Sequence, residues 1–138
     1  MIHLARILIL LLVTTLAQAQ EEGNIIEVEI LQIDNEKGQM LIGLYDSEDN
    51  WLNKPAKGMF GKIIDGKSEA TFENVSDGTY AISVFHDEDN DRELDTILGI
   101  PTEDTGASND APARFGPPKW EDAKFEVKGG IIKQIINL

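Results

Sequence analysis

A chain of 138 residues with 25 acidic side chains against 12 basic ones, a net charge of −13, can bury one ordinary core. It lacks the clustered Lys and Arg that nucleic acid or an anionic membrane surface would require. With no cysteine and only His3 and His86, it is excluded from disulfide stapling, cysteine nucleophiles, iron–sulfur clusters and multi-histidine zinc or copper centres.

The N-terminus places Arg6 before an apolar run from Ile7 to Val13 that continues through Leu16 and is followed by Ala17-Gln18-Ala19. This pattern predicts a secretory signal peptide over residues 1–19, cleaved after Ala19, because the run is too short to span a bilayer. Residues 20–138 are then expected to form one soluble domain, secreted or periplasmic, monomeric and not inserted in a membrane. Loss of Arg6 would move the net charge from −13 to −14.

From there an alternation of apolar and polar side chains with period two dominates, and no sustained helical stripe competes with it. Ile26, Val28 and Ile30 alternate with Glu27 and Glu29 in a first strand. Asn35-Glu36-Lys37-Gly38 reads as a turn and Gln39 to Tyr45 as a second strand, so residues 25–45 are expected to pair as a hairpin. A loop with Trp51, Leu52 and Pro55 leads to strands over 57–64 and 68–72, with Asp65-Gly66 as the turn between them. Asp77-Gly78 opens the strongest strand, in which Tyr80, Ile82 and Val84 alternate with Thr79, Ala81, Ser83 and Phe85. Residues 99–118 carry no strand or helix signal, 120–127 read as a strand, and Gly129-Gly130 turns the chain into a last strand over 131–138. About seven strands predict an all-β fold, a single antiparallel β-sandwich of the immunoglobulin-like or transthyretin-like kind.

Where the strongest strand ends, the chain reads HDEDNDRELD over residues 86–95. Asp87, Asp89, Asp91 and Asp95 stand at relative positions 1, 3, 5 and 9, a spacing that lets alternate carboxylates converge on one hard cation. The backbone carbonyl of Glu93 is the further ligand expected, and Glu88 and Glu103 could close the shell, Glu103 only if the following loop folds back. A helix–loop–helix calcium hand would carry glycine at position 6 and glutamate at position 12; Arg92 and Leu98 stand there instead, so the expected ion is Ca²⁺ held weakly at a strand end. The competing reading is a solvated acidic turn whose Asp and Asn side chains bond their own backbone.

Two other functional classes have candidate residues. A cell-envelope hydrolase could use His86, Asp87 and Glu103, with Ser83 or Ser108 as nucleophile, although the chain has no Gly-x-Ser-x-Gly elbow. His86 more readily orients the acidic loop by donating a ring N–H. A glycan-binding domain could stack sugars on Trp51 or Trp120, but a loop tryptophan more often plugs the end of a core. The partner expected for a binding module is a protein or glycan of the cell envelope.

The run YAISVFHDEDNDRELDTILGIPTEDTGASNDA, followed by FGPPKWEDAKFEV, resembles an uncharacterised bacterial family of secreted proteins, domain of unknown function 2141. Gly78 to Ala81, His86-Asp87, Leu94-Asp95, Gly99 to Glu103, Gly106, Ser108-Asn109 and Pro117-Pro118 carry the resemblance. Members commonly have asparagine where this chain has Asp89 and Asp91, and glycine where it has Arg92. FENVSDGTYAISV is also similar to a pattern of transthyretin-like and collagen-adhesin repeat domains, with Val75 at a position that is usually Leu. These resemblances imply an exported β-sandwich with a binding or structural role, and no reaction.

Overall fold

Period-two burial is what the strands display in the computed structural model, which describes residues 23–138. In chain order the strands are β1 (Asn24–Leu31), β2 (Gln39–Tyr45), β3 (Lys57–Gly61), β4 (Ser68–Val75), β5 (Gly78–Asp87), β6 (Thr96–Ile97), β7 (Ile100–Pro101), β8 (Thr105–Ala107), β9 (Phe125–Val127) and β10 (Ile131–Asn137). One helical turn, α1 (Trp120–Ala123), precedes β9. The predicted signal peptide lies outside the described residues. Among the described residues no helix is long and apolar enough to cross a membrane.

Two sheets enclose the main core. One has the order β10-β1-β4; the other runs β3-β2-β5-β8, with β9 also paired to β5. Ile26, Val28 and Ile30 of β1, Phe72 of β4 and Ile136 of β10 meet Met40, Ile42 and Leu44 of β2 and Ile82 and Val84 of β5. Burying an isoleucine or leucine of this kind contributes about 1.5–3 kcal/mol. A second cluster lies on the opposite face of the larger sheet, where Tyr45, Ala81 and Ala107 are covered by Trp120 and Ala123.

The all-β class is as expected, but several local expectations are overturned. The strands β1 and β2 do not form a hairpin: β1 pairs with β4 and β10, whereas β2 pairs with β3 and β5. Either arrangement buries the same apolar face, so alternation cannot choose between them. The chain crosses between sheets at residues 32–38, where Ile33 is buried and its N–H donates to the Gly66 carbonyl. A second crossing follows β3, which ends at Gly61, and the Asp65-Gly66 turn sits inside it, with Ile64 bridged to Lys67. Nor is the sandwich wholly antiparallel, since β10 runs parallel to β1.

The 120–127 segment is not one strand. Trp120 and Ala123 are both buried, a spacing of three that suits a helical turn, and Glu121 and Asp122 occupy its first turn. The 99–118 segment is also more ordered than its composition suggests. It contains β7, β8 and a 3₁₀ turn at Ser108–Asp110.

Candidate functional site

The two residues that end β5 are both fully buried, which is unusual for a charged side chain beside an imidazole. Their partners across the ladder are Met40 for His86 and Gln39 for Asp87. His86 Nε2 donates to the Lys37 carbonyl at 2.6 Å, and the His86 N–H donates to the Asp104 carbonyl at 2.9 Å. The remaining ring nitrogen, Nδ1, has no hydrogen-bond partner among the described residues and lies 4.0 Å from Glu88 Oε1. His86 therefore ties the β1–β2 crossing to the start of the acidic loop. Gly38 tightens the same junction: its φ is +63°, and a Cβ there would overlap the Asp87 carbonyl.

Asp87 organises the loop that follows. Its Oδ2 accepts from Gln39 Nε2 at 3.0 Å and from the Arg92 amide at 3.1 Å, while Oδ1 accepts from the Asp91 amide at 3.2 Å. Burial is the largest single influence on this carboxyl and pushes its pKa up. The bonds from Gln39, the Arg92 amide, Asp89 and the Asp91 amide together outweigh it, and the pKa lies below the ordinary value of 3.8. The chain can make this tight turn because Asn90 and Arg92 adopt φ values of +57° and +65°. Arg92 thus occupies a backbone position that favours glycine, with its guanidinium 5.1 Å from the centre of the Phe60 ring.

Asp89 behaves oppositely. The Asp91 amide, its strongest influence, lowers its pKa, but desolvation, the hydrogen bond shared with Asp87, and the charges of Asp91 and Asp95 raise it above 3.8 overall. Asp91 Oδ1 accepts from the Glu93 amide at 2.8 Å.

Glu103 returns to the loop by way of a small hairpin. Strands β6 and β7 pair, with Leu98 and Gly99 in left-handed conformation at the tip, and the Thr102 amide donates to the Asp95 carbonyl at 2.9 Å. Glu103 Oε1 then accepts from the Glu88 amide at 3.2 Å and Oε2 from the Asp95 amide at 3.1 Å. The five residues expected to offer side-chain oxygens are thereby brought near one another, and the sixth, Glu93, is expected to offer its backbone carbonyl. One oxygen each from Asp87, Asp89 and Asp91 lie within 4.8 Å of one another, as do one each from Asp89, Asp95 and Glu103, so Asp89 joins both groups. None of the five forms an ion pair with Lys or Arg among the described residues.

The carboxylate of Glu93 is not in either group. Glu88 also points elsewhere and accepts from Asn35 Nδ2 at 3.2 Å. Asn35, Lys37, Gly38 and Gln39 support the site from the β1–β2 crossing and carry no sequence signal for that role. Only the pairing of β2 with β5 brings them there.

Ser108, Trp51 and Trp120, which the rival readings invoke, are engaged in packing. Ser108 is fully buried, its Oγ accepting from the Ile82 amide at 2.9 Å and donating to the Ala123 carbonyl at 2.6 Å. Trp51 stands edge-on between Tyr45 and Trp120, with ring centres 5.0 and 5.9 Å away, and its indole N–H donates to the Pro118 carbonyl at 2.8 Å. Trp120 itself is buried. Ser83 lies on the outer face of β5, in an open groove.

No curated protein and no solved structure matches the chain. A bacterial family profile does match, over residues 28–134, from β1 to the middle of β10, and so covers both sheets, the acidic loop and the hairpin that returns Glu103. The chain belongs to this family, described as "Uncharacterized protein conserved in bacteria (DUF2141)".

Proposed function

We propose that this protein is an exported, non-enzymatic β-sandwich module whose acidic loop binds Ca²⁺ and so fixes the long 99–118 segment for recognition of a protein or glycan of the cell envelope. The observation that carries this reading is the gathering of Asp87, Asp89 and Asp91, and of Asp89, Asp95 and Glu103, into two groups joined at Asp89, without a cationic side chain paired to any of them among the described residues. Like charges this close repel, and a divalent cation offsets the repulsion while using carboxylate lone pairs that backbone amides leave free. The Asp87–Asp89–Asp91 and Asp89–Asp95–Glu103 groups would each offer three of the six to eight oxygens that Ca²⁺ takes, with the Glu93 carbonyl as a further expected ligand. Magnesium fits less well, because it demands strict octahedral geometry. Export rests on the Arg6, apolar-run and Ala17-Gln18-Ala19 pattern.

Affinity in the range of extracellular modules, about 10⁻⁴–10⁻³ M, is expected. At tenfold saturation such a site stabilises the fold by about 1.4 kcal/mol, which raises the melting midpoint by about 5 °C. Thermal unfolding with and without Ca²⁺ tests it. An unchanged midpoint, or an equal rise in a variant carrying Asp89→Asn and Asp95→Asn, would refute the calcium role.

A further inference from the structure

The β6–β7 hairpin presents apolar side chains that the fold does not use. Ile97 and Ile100 pair across it and are 67% and 69% exposed, and Leu98 at its tip is 97% exposed. Leu98 also holds a φ of +52°, a left-handed conformation better suited to asparagine or glycine. This leucine therefore serves neither the turn nor the core, and points to a contact outside the chain. A Cβ added at Gly99 would meet nothing within 4 Å, so the tip stands clear of the rest of the molecule. Phe115, also fully exposed, offers a second apolar side chain, on a segment whose Ala113 and Gly116 line the same groove as Gly99 and Ile100.

The base of this hairpin is part of the acidic site. Asp95 leads into β6 and Glu103 follows β7, and the bonds from the Asp95 amide to Glu103 Oε2 and from the Thr102 amide to the Asp95 carbonyl close it. Asp89, Asp95 and Glu103 offer three side-chain oxygens, fewer than the six to eight that Ca²⁺ takes. An ion there keeps positions open to oxygens of a second molecule. Leu98 lies three residues beyond Asp95, about 10 Å of extended chain. An interfacial apolar segment sinks about 5–10 Å into a bilayer, to the boundary of headgroups and acyl chains. A lipid surface thus suits both ends of the hairpin at once, with phosphate oxygens at the base and hydrocarbon at the tip.

We propose that the β6–β7 hairpin docks on an anionic phospholipid surface through bound Ca²⁺, with Ile97, Leu98 and Ile100 entering the bilayer interface and lipid phosphate completing the shell of the ion. The proposal rests on the calcium reading and deepens it, giving the hairpin a lipid partner and leaving the rest of the 99–118 segment to a protein or glycan. Without the ion an anionic bilayer is repelled, because no Lys or Arg pairs with these carboxylates among the described residues. Calcium lowers that charge and bridges it to phosphate, so docking depends on the ion.

Sedimentation of residues 20–138, the exported form, with vesicles of phosphatidylcholine alone or mixed equally with phosphatidylglycerol tests it, with thermal unfolding read in parallel. At about 5 mM Ca²⁺, above the Kd expected of the site, the protein should sediment with the mixed vesicles and be released by a chelator. Phosphatidylcholine alone should bind it about tenfold more weakly. Leu98→Asn suits the left-handed turn, so the rise of the melting midpoint with Ca²⁺ should persist while vesicle affinity falls about tenfold. A midpoint that rises with Ca²⁺ but no sedimentation would overturn the lipid proposal alone, whereas no rise would remove the calcium reading and this proposal with it. Undiminished binding of Leu98→Asn would reduce the effect to ions bridging acidic surfaces, and binding unaffected by the chelator would leave the ion no role; either defeats the proposal. Calcium-dependent self-association without vesicles, lost in Leu98→Asn, would assign the tip to a second copy and also defeat it.

Discussion

Residues 87–103 and 108–124 solve the same problem, holding irregular chain against a sheet, with opposite accounts of their polar groups. In the second region short side chains are matched to backbone partners. Ser108 joins the Ile82 amide to the Ala123 carbonyl, and Asn109 Nδ2 donates to the Asp122 and Lys124 carbonyls at 3.2 and 2.9 Å. In the first region carboxylates also receive backbone amides, but they bring more acceptor capacity and charge than the chain can satisfy. Matched donors and acceptors make a clasp; surplus acceptors of one sign make a candidate cation site.

The largest effect that would break this contrast is expected from Ser108→Ala. It leaves a buried N–H and a buried C=O without their partner, and should cost about 2–3 kcal/mol in denaturant unfolding, with or without Ca²⁺. A loss under 1 kcal/mol would mean that the clasp is dispensable. Asp87→Asn comes next, at about 1–3 kcal/mol, since an amide cannot replace both acceptor oxygens for the amides of residues 91 and 92. Unlike the serine change, it should also remove the calcium response.

The effect of pH distinguishes the two aspartates. Asp87, with its folded pKa lowered, contributes stability above its unfolded value near 3.8 and loses it as pH falls through the folded value. Asp89, with its folded pKa raised, favours the fold below 3.8, and that contribution disappears as pH rises through the folded value. Without calcium, Asp89→Asn should therefore melt higher than the parent at neutral pH, an advantage that shrinks on acidification towards pH 3.8. Calcium affinity of the parent should fall over the same interval as Asp89 takes up a proton. A pH-independent difference between the two proteins would contradict this assignment.

The smallest effect is expected at Arg92. Glycine there relieves a left-handed conformation at about 1 kcal/mol but gives up chain rigidity and the contact with Phe60, at about 0.5–1 kcal/mol. Stability of Arg92→Gly should stay within about 0.5 kcal/mol of the parent. Its calcium affinity should rise, because a positive charge has left the loop.

What the sequence made legible follows from its physical signals. Alternation located β1, β2, β4, β5 and β10, since one buried face imposes a period of two whatever the pairing. It could not assign strands to sheets, so the crossing at 32–38 and the support that Gln39 gives Asp87 were invisible. Aspartates at alternate positions marked the loop directly, whereas the return of Glu103 depended on the Leu98-Gly99 turn, inside a stretch that reads only as irregular. Trp120 to Ala123 misled because its apolar spacing of three was read against a period of two. Ala81, Ser83 and Phe85 hid the outer groove, because small and aromatic residues on a strand do not announce which face meets water.

The parallel pairing of β10 with β1 has a consequence for how the molecule is assembled. Ile25 lies opposite Ile131 and Ile30 opposite Ile136, so one edge of the first strand waits for the last strand before its ladder closes. Such distant pairing slows folding, because chain closure precedes the contacts that reward it. A chain interrupted before β10 would present β1 as a bare edge, able to recruit strands from other molecules. That edge of the first strand is therefore covered only once the final segment has been made.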